Sequence, residues 1–84
     1  MQAIFHDSFQ KKFTKLLPKI QEQFRERLRL FLCNPHDIIL NNHSVKKVFP
    51  GSRSINITGD YRAIFYEHGN VAIFIEIGTH AELY

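Results

Sequence analysis

The amino-acid sequence predicts an α+β fold in the order β-α-α-β-β-β, with two N-terminal helices packed on one face of an antiparallel sheet. Three observations support this prediction. Apolar residues in the first 33 positions recur three and four residues apart, which is typical of amphipathic helices. After Gly51 the apolar residues alternate with a period of two, as in half-buried strands. Two short turn signals, Gly59-Asp60 and His68-Gly69-Asn70, then separate the later strands and predict consecutive hairpins.

The N-terminal part of the chain predicts a short strand followed by two helices. Residues 2–6 (QAIFH) are long enough only for an edge strand. Pro18 interrupts the helical pattern that follows, because proline lacks an N–H group and disfavours helix at the residue before it. We therefore expect helices over about residues 8–17 and 19–33, with Pro18 near the start of the second.

The C-terminal part predicts three strands of an antiparallel meander. Residues 34–52 form a polar connection that is rich in turn-forming residues. Residues 53–58 and 61–67 are the first two predicted strands, and residues 71–77 form a third that is almost continuously apolar. Such a run is typical of a strand inside a sheet rather than at its exposed edge.

Composition narrows the class of protein. Hydrophobic residues make up 44% of the chain and charged residues 23%, which is typical of a folded globular protein and excludes a disordered tail. No apolar run approaches the ~20 residues of a membrane span. The single Cys33 excludes an intrachain disulfide and suits a reducing compartment. We therefore expect a soluble cytoplasmic protein with no membrane partner.

Positive charge is concentrated in the first part of the chain. Residues 1–50 hold nine Lys or Arg against four Asp or Glu, whereas residues 51–84 hold two against four. A basic surface predicts an anionic partner, either a nucleic acid or an acidic protein segment. The alternative is that the lysines of the first helices only make one helix face soluble and bind no partner. If charge is the only evidence considered, this alternative is favoured.

Three titratable side chains are predicted in loops or at strand ends, where a rigid sheet displays functional groups. His43 lies in the long connection, Asp60 in the first hairpin turn and His80 directly after the last strand. Four cations are predicted nearby: Lys46, Lys47, Arg53 and Arg62. Such cations bind phosphate and stabilise a pentavalent transition state. His and Asp side chains can move the two protons of RNA cleavage, one from the attacking 2′-OH and one to the leaving 5′-oxygen.

Other chemistries have less support in the sequence. A closed zinc site is not expected, because there is no CxxC, no HExxH and no close pair of histidines. The glycines are isolated from one another, so no glycine-rich phosphate loop is predicted. Cys33 ends an apolar helix and is expected in the core rather than in a nucleophile system. The sequence therefore predicts neither a metal nor a cofactor.

Three stretches of the sequence, taken together, resemble a known family. They are the connection with its histidine (LNNHSVKKVFPGS), the hairpin GDYRAIFY and the C-terminal IGTHAELY. In this order and spacing they resemble the RelE/ParE superfamily of bacterial toxins from type II toxin–antitoxin systems, and within it the YafQ-type messenger-RNA interferases. The resemblance covers essentially the whole chain and implies a single toxin domain over residues 1–84. It implies ribosome-dependent cleavage of mRNA, and inhibition by a tightly bound antitoxin in a hetero-oligomeric complex.

The resemblance also implies a role for each candidate residue. His43, Asp60 and His80 match the catalytic positions, and His80 is expected to be the general acid that protonates the leaving 5′-oxygen. Either His43 or Asp60 is then the general base. Tyr84 matches a terminal aromatic residue that helps to hold the RNA, and the four cations are expected to contact its phosphates.

The chain also departs from the pattern of the family, and two alternatives follow. An aspartate and a histidine on the second strand of YafQ-type toxins fall here at Ser54 and Asn56, and an arginine of RelE falls near Ile57. These departures keep open a catalytically inactive member that only binds its antitoxin. The second alternative is a ParE-type toxin that binds DNA gyrase and cleaves no RNA. The two histidines and Asp60 argue against it, because a binding toxin has no need of acid–base groups.

Overall fold

The computed structural model describes residues 1–84 and contains two main helices and a five-stranded sheet. The elements in chain order are β1 (Gln2–Phe5), α1 (Asp7–Phe13), α2 (Pro18–Cys33), a 3₁₀ helix (Ile38–Leu40), β2 (His43–Ser44), β3 (Arg53–Asn56), β4 (Tyr61–His68), β5 (Val71–Thr79) and α3 (His80–Leu83). The strands lie in the order β1-β5-β4-β3-β2. The predicted α+β class, with both main helices on one face of the sheet, is confirmed.

The sheet is mixed rather than wholly antiparallel. β1 pairs in parallel with β5, so that Gln2 lies opposite Val71, whereas the other three strand pairs are antiparallel. The prediction of an antiparallel sheet was wrong for β1. A turn signal in the sequence predicts antiparallel pairing only for the two strands that the turn joins directly, and no such turn joins β1 to β5. Between β1 and β5 the chain runs through both helices and through β2, β3 and β4, and a long connection of this kind allows parallel pairing. β5 lies between β1 and β4, as its apolar run predicts.

The two main helices meet at a short connection that begins earlier than the sequence predicts. Pro18 is the first residue of α2, where a missing N–H group costs no helical hydrogen bond. α1 ends at Phe13 rather than at residue 17. The side chain of Gln21 donates to the carbonyl oxygens of Phe13 (3.1 Å) and Leu16 (3.0 Å), which satisfies backbone acceptors in the connection.

The turn between β3 and β4 is wider than the predicted two-residue hairpin. β3 ends at Asn56 rather than at residue 58, and residues 57–60 connect it to β4. The Thr58 hydroxyl accepts hydrogen bonds from the backbone N–H groups of Asp60 (3.2 Å) and Tyr61 (3.0 Å). A side chain thus replaces ladder hydrogen bonds in this turn.

The main core lies between the helices and one face of the sheet. Its centre is Phe74 of β5, which is fully buried and contacts five other phenylalanine rings at centroid distances of 5.2–5.8 Å. The buried members of this cluster are Phe9, Phe24, Phe31, Leu40, Ile55, Ile57, Ala63, Phe65, Ala72, Phe74 and Ile77. Cys33 is exposed, contrary to the prediction. It lies two residues beyond the buried Phe31, and two residues rotate a helix by more than half a turn.

A smaller apolar cluster covers the opposite face of the sheet. It consists of Val45, Ile64 and Leu83, with Phe49 and Ile75 packed against it. Ile64 belongs to this face because its neighbours Ala63 and Phe65 point into the main core. The small cluster therefore joins the connection after β2 to the C-terminal helix α3. No helix of the chain combines the length and the apolar character that crossing a membrane requires.

Candidate functional site

A cavity of about 330 Å³ opens beside the small apolar cluster and collects four of the eight predicted site residues. It is lined by Asn41, His43, Val45, Arg62, His80 and Tyr84. The lining comes from three separate parts of the chain: residues 41–45 around β2, Arg62 of β4, and the C-terminal residues 80–84. The cavity therefore exists only in the folded chain, and it brings both candidate histidines to one place.

The ring of His43 is held in one orientation by the backbone. Its Nδ1 lies 2.7 Å from the carbonyl oxygen of Asn41. Because a carbonyl can only accept, Nδ1 carries the proton, and Nε2 of the neutral ring is left with a free lone pair. Asn41 adopts a left-handed conformation with φ of 48°, which asparagine tolerates better than most residues. This conformation turns the Asn41 carbonyl towards His43.

His80 is the first residue of α3, which is fixed at its start by a capping box. The Thr79 hydroxyl accepts from the Glu82 N–H (3.2 Å), and the Glu82 carboxylate accepts from the Thr79 N–H (2.8 Å). The backbone N–H of Thr79 lowers the pKa of Glu82, and the Thr79 side chain and Lys12 lower this pKa further. The imidazole of His80 contacts the ring of Tyr84 at a centroid distance of 4.6 Å.

Asp60 meets His80 through its backbone rather than through its carboxylate. The carbonyl oxygen of Asp60 accepts a hydrogen bond of 2.9 Å from the backbone N–H of His80. The Asp60 side chain is exposed in the turn and does not line the cavity. The three predicted acid–base residues are thus adjacent in the fold, but only the two histidines share the cavity.

Arg62 lines the cavity, yet much of its guanidinium is used by the turn between β3 and β4. Nη1 donates to the carbonyl oxygens of Thr58 and Tyr61, both at 3.0 Å, and Nη2 donates to that of Gly59 at 3.2 Å. An arginine side chain has five N–H donors, and these bonds leave two of them for the cavity.

The other three predicted cations lie outside this cavity. Arg53 donates through Nε to the Asn42 side chain (2.7 Å) and through Nη2 to the Asn42 carbonyl (3.2 Å), so it anchors the segment before β2. Lys46 and Lys47 line a neighbouring cavity of about 280 Å³. Val45 and Tyr84 line both cavities. The cavity lined by the two lysines therefore adjoins the histidine-lined cavity, and the side chains of Val45 and Tyr84 lie between them.

Two buried polar groups lie on the sheet between the elements of the site. The hydroxyl of Ser54 and the side-chain oxygen of Asn56 have no hydrogen-bond partner. Ser54 lies opposite His43 on β2 and Asn56 lies opposite Arg62 on β4. Directly opposite residues project from the same face of a sheet. The positions at which the chain departs from the YafQ pattern are therefore beneath the candidate site.

The sequence analysis did not find Asn41, Asn42 and Val45. Asn41 and Asn42 act through backbone and amide contacts, and the only sequence signal for them is an Asn-Asn pair directly before His43. The His, Cys, Asp and Glu side chains form no group of three or more that could hold a metal ion.

Comparisons with known proteins give a match in structure only. No protein-family model and no curated protein matches the sequence. The crystal structure of YafQ from E. coli strain BL21(DE3) superposes with a TM-score of 0.79 at 20% identity, over 99% of this chain and 97% of that chain. A YoeB/ParE toxin from Agrobacterium tumefaciens gives a TM-score of 0.75 at 16% identity, over 95% and 99% of the two chains.

A complex is also among the similar structures. A chain of the intact E. coli RelBE toxin–antitoxin complex gives a TM-score of 0.72 at 22% identity, over 93% of this chain and 94% of that chain. These matches span nearly the full length of both superposed chains, so the similarity extends over the whole fold and is not limited to a shared motif. The resemblance to the RelE/ParE toxins is therefore confirmed at the level of the fold, and the chain has a RelE-like fold similar to that of YafQ.

Proposed function

We propose that this protein is the toxin of a type II toxin–antitoxin system and a ribosome-dependent endoribonuclease that cleaves mRNA and thereby inhibits translation. In this proposal residues 1–84 form a single toxin domain that acts in the cytoplasm without a metal or cofactor. The observation that carries the proposal is the cavity in which His43, Arg62, His80 and Tyr84 meet. The RelE-like fold supports it.

Two histidines in one cavity suit the two proton transfers of RNA cleavage. The attacking 2′-OH loses a proton as it bonds to phosphorus, and the 5′-oxygen gains one as its bond to phosphorus breaks. His43 has a free Nε2 lone pair because its Nδ1–H is bonded to Asn41, so it can accept the first proton. His80 acts as the general acid for the 5′-oxygen. Asp60 is the alternative base, since its turn lies against His80.

The remaining predicted residues bind the RNA. In this proposal the two N–H donors of Arg62 that the turn leaves free bind the scissile phosphate and stabilise its developing charge. Lys46 and Lys47 contact a neighbouring phosphate from the second cavity. Tyr84 separates the two cavities and stacks on a base. Arg53 acts from further away and supports the segment that carries His43.

The proposed inhibitor is a cognate antitoxin that binds the basic surface of the N-terminal helices and forms a hetero-oligomeric complex. One of the similar structures is a toxin–antitoxin complex. Lys11, Lys15 and Lys19 form no ion pair within the chain. A cationic surface that the chain itself leaves unpaired favours an acidic segment of a partner.

The decisive experiment measures cleavage of a translated mRNA. Purified protein is added to ribosomes programmed with a defined mRNA, and the 5′ ends of the products are mapped by primer extension. We expect cuts within the reading frame that move when the frame is shifted, and no cuts when ribosomes are omitted. The same preparation is tested in a supercoiling assay with purified DNA gyrase.

The two assays separate the alternatives. Absence of cleavage together with block of supercoiling would replace the interferase with a gyrase-binding toxin. Absence of both activities, in a chain that still binds its antitoxin, would identify an inactive member. Cleavage of naked mRNA at the same rate would remove the dependence on the ribosome from the proposal.

A further inference from the structure

We propose that Arg62, besides the phosphate contact proposed above, positions His80 by holding the turn between β3 and β4 in the shape that aligns it. Its effect on cleavage depends on the proposed function, whereas its effect on the structure does not. Arg62 is linked to His80 indirectly, through two sets of hydrogen bonds. The guanidinium binds three carbonyl oxygens of residues 58–61, and the carbonyl of Asp60, in the same turn, binds the backbone N–H of His80 at 2.9 Å.

Backbone hydrogen bonds close the turn only in part: the N–H groups of Ile57 and Thr58 both donate to the carbonyl oxygen of Tyr61. The Thr58 hydroxyl accepts from the N–H groups of Asp60 and Tyr61. Arg62 donates to the carbonyl oxygens of Thr58, Gly59 and Tyr61. The two side chains thus add bonds to both kinds of backbone group. Removal of either one leaves some of these groups without their side-chain partner.

The geometry of these bonds requires a guanidinium and not merely a positive charge. Both hydrogens of Nη1 and one hydrogen of Nη2 point at carbonyl oxygens that are spread over the turn. Lysine carries its charge on one compact ammonium and cannot reproduce a planar fork. A phosphate contact, in contrast, is largely preserved when lysine replaces arginine, because lysine also binds phosphate.

The Asp60–His80 bond links the turn to the first residue of α3. Two other contacts hold α3: the capping box between Thr79 and Glu82 at its start, and Leu83 in the small apolar cluster at its end. Neither of them involves the backbone N–H of His80, so loss of the turn geometry removes the partner of that N–H and lets His80 shift while α3 stays folded. A misplaced general acid slows the chemical step more than it weakens binding.

The first test measures hydrogen exchange of the His80 amide in the free chain by NMR. We expect exchange to become at least about tenfold faster in Arg62→Ala, Arg62→Lys and Thr58→Ala, since each removes side-chain hydrogen bonds of the turn. Arg53→Ala is the matched control, because it removes the same charge from a guanidinium that binds Asn42 instead. Its His80 amide should exchange as in the wild type.

The second test measures single-turnover cleavage on programmed ribosomes. We expect Arg62→Lys and Thr58→Ala to lower the maximal single-turnover rate constant by up to about 100-fold, with little change in the half-saturating protein concentration. Unchanged exchange of the His80 amide in Arg62→Lys and Thr58→Ala would overturn the proposal. A wild-type rate constant in Arg62→Lys would also overturn it and would leave Arg62 with its phosphate contact alone.

The two tests fail independently. If the wild type cleaves no RNA, the proposed function fails, and the exchange measurement still decides whether Arg62 holds the turn. If Arg62→Ala does not fold, Thr58→Ala answers the same question, because Thr58 does not line the cavity and carries no charge.

Discussion

Replacement of His80 by alanine should separate catalysis from stability more cleanly than any other change in the site. The imidazole is exposed, makes no hydrogen bond and contacts only Tyr84 among the aromatic rings. An aromatic pair contributes about 0.5–1.5 kcal/mol. The backbone bond to Asp60 remains in the variant, and alanine favours the helix. We therefore expect a loss of about 1 kcal/mol in the free energy of unfolding, against the roughly 5–15 kcal/mol of a typical domain.

The expected loss of activity is much larger. Removal of a general acid lowers the rate by a factor of about 100 to 10,000. At 1.36 kcal/mol for each factor of ten, this corresponds to a rise of about 2.7–5.4 kcal/mol in the activation barrier. A change in the barrier that exceeds the change in stability in this way cannot come from a partly unfolded population, because the variant stays folded at 25 °C.

The assay is single-turnover cleavage on programmed ribosomes, with urea unfolding of the same preparations as the control. His80→Gln distinguishes an acid from a simple hydrogen-bond donor, because an amide can donate but cannot release a proton at neutral pH. We expect His80→Gln to be as impaired as His80→Ala. A fully active His80→Gln variant would remove His80 from the role of general acid, whatever the alanine variant shows.

Three further predictions concern the base, the partner and the pH response. His43→Ala should lower the cleavage rate more than Asp60→Asn, because the Asp60 carboxylate lies outside the cavity while its backbone carbonyl is kept; the reverse order would make Asp60 the base. Charge reversal of the helix lysines should weaken the antitoxin complex and make its affinity more sensitive to salt, and equal affinity at low and high salt in wild type and variant would contradict an electrostatic contribution. These lysines are Lys11, Lys15 and Lys19, none of which forms an ion pair within the chain. Because the pKa of Glu82 is lowered from 4.5 in the folded chain, its contribution to α3 is present above pH 4.5 and is lost as the pH falls through the folded value. The protection factor of the Thr79 amide, corrected for the intrinsic exchange rate at each pH, should therefore fall in acid, and Glu82→Gln should abolish that fall.

The sequence predicted most accurately the elements that carry a long periodic pattern. α2, β4 and β5 lie close to the predicted ranges because their apolar residues face one large core. The parallel pairing of β1 was missed, since no local signal determines which strand a distant segment will join. The short elements β2 and α3 were also missed, because two or four residues are too few to show a period.

The candidate site was predicted in its residues but not in its internal contacts. The prediction named His43, Arg62, His80 and Tyr84, and these four line one cavity. It could not show that Arg53 donates hydrogen bonds to Asn42 or that Arg62 donates to backbone carbonyls of the turn. Such contacts follow no sequence pattern. The carboxylate of Asp60 was treated as a site group, whereas the structure brings its carbonyl oxygen to His80.

The core is divided into two clusters of unequal size, and the candidate site lies beside the smaller one. The large cluster on the helix face contains eleven buried residues and supplies most of the apolar burial. The small cluster contains three, and it joins the two segments that carry the histidines: Val45 follows His43 by two residues and Leu83 follows His80 by three. Local opening of a few contacts costs much less free energy than global unfolding. The relative position of the histidines therefore depends on the smaller cluster, which can open locally while the helices and the central strands stay folded.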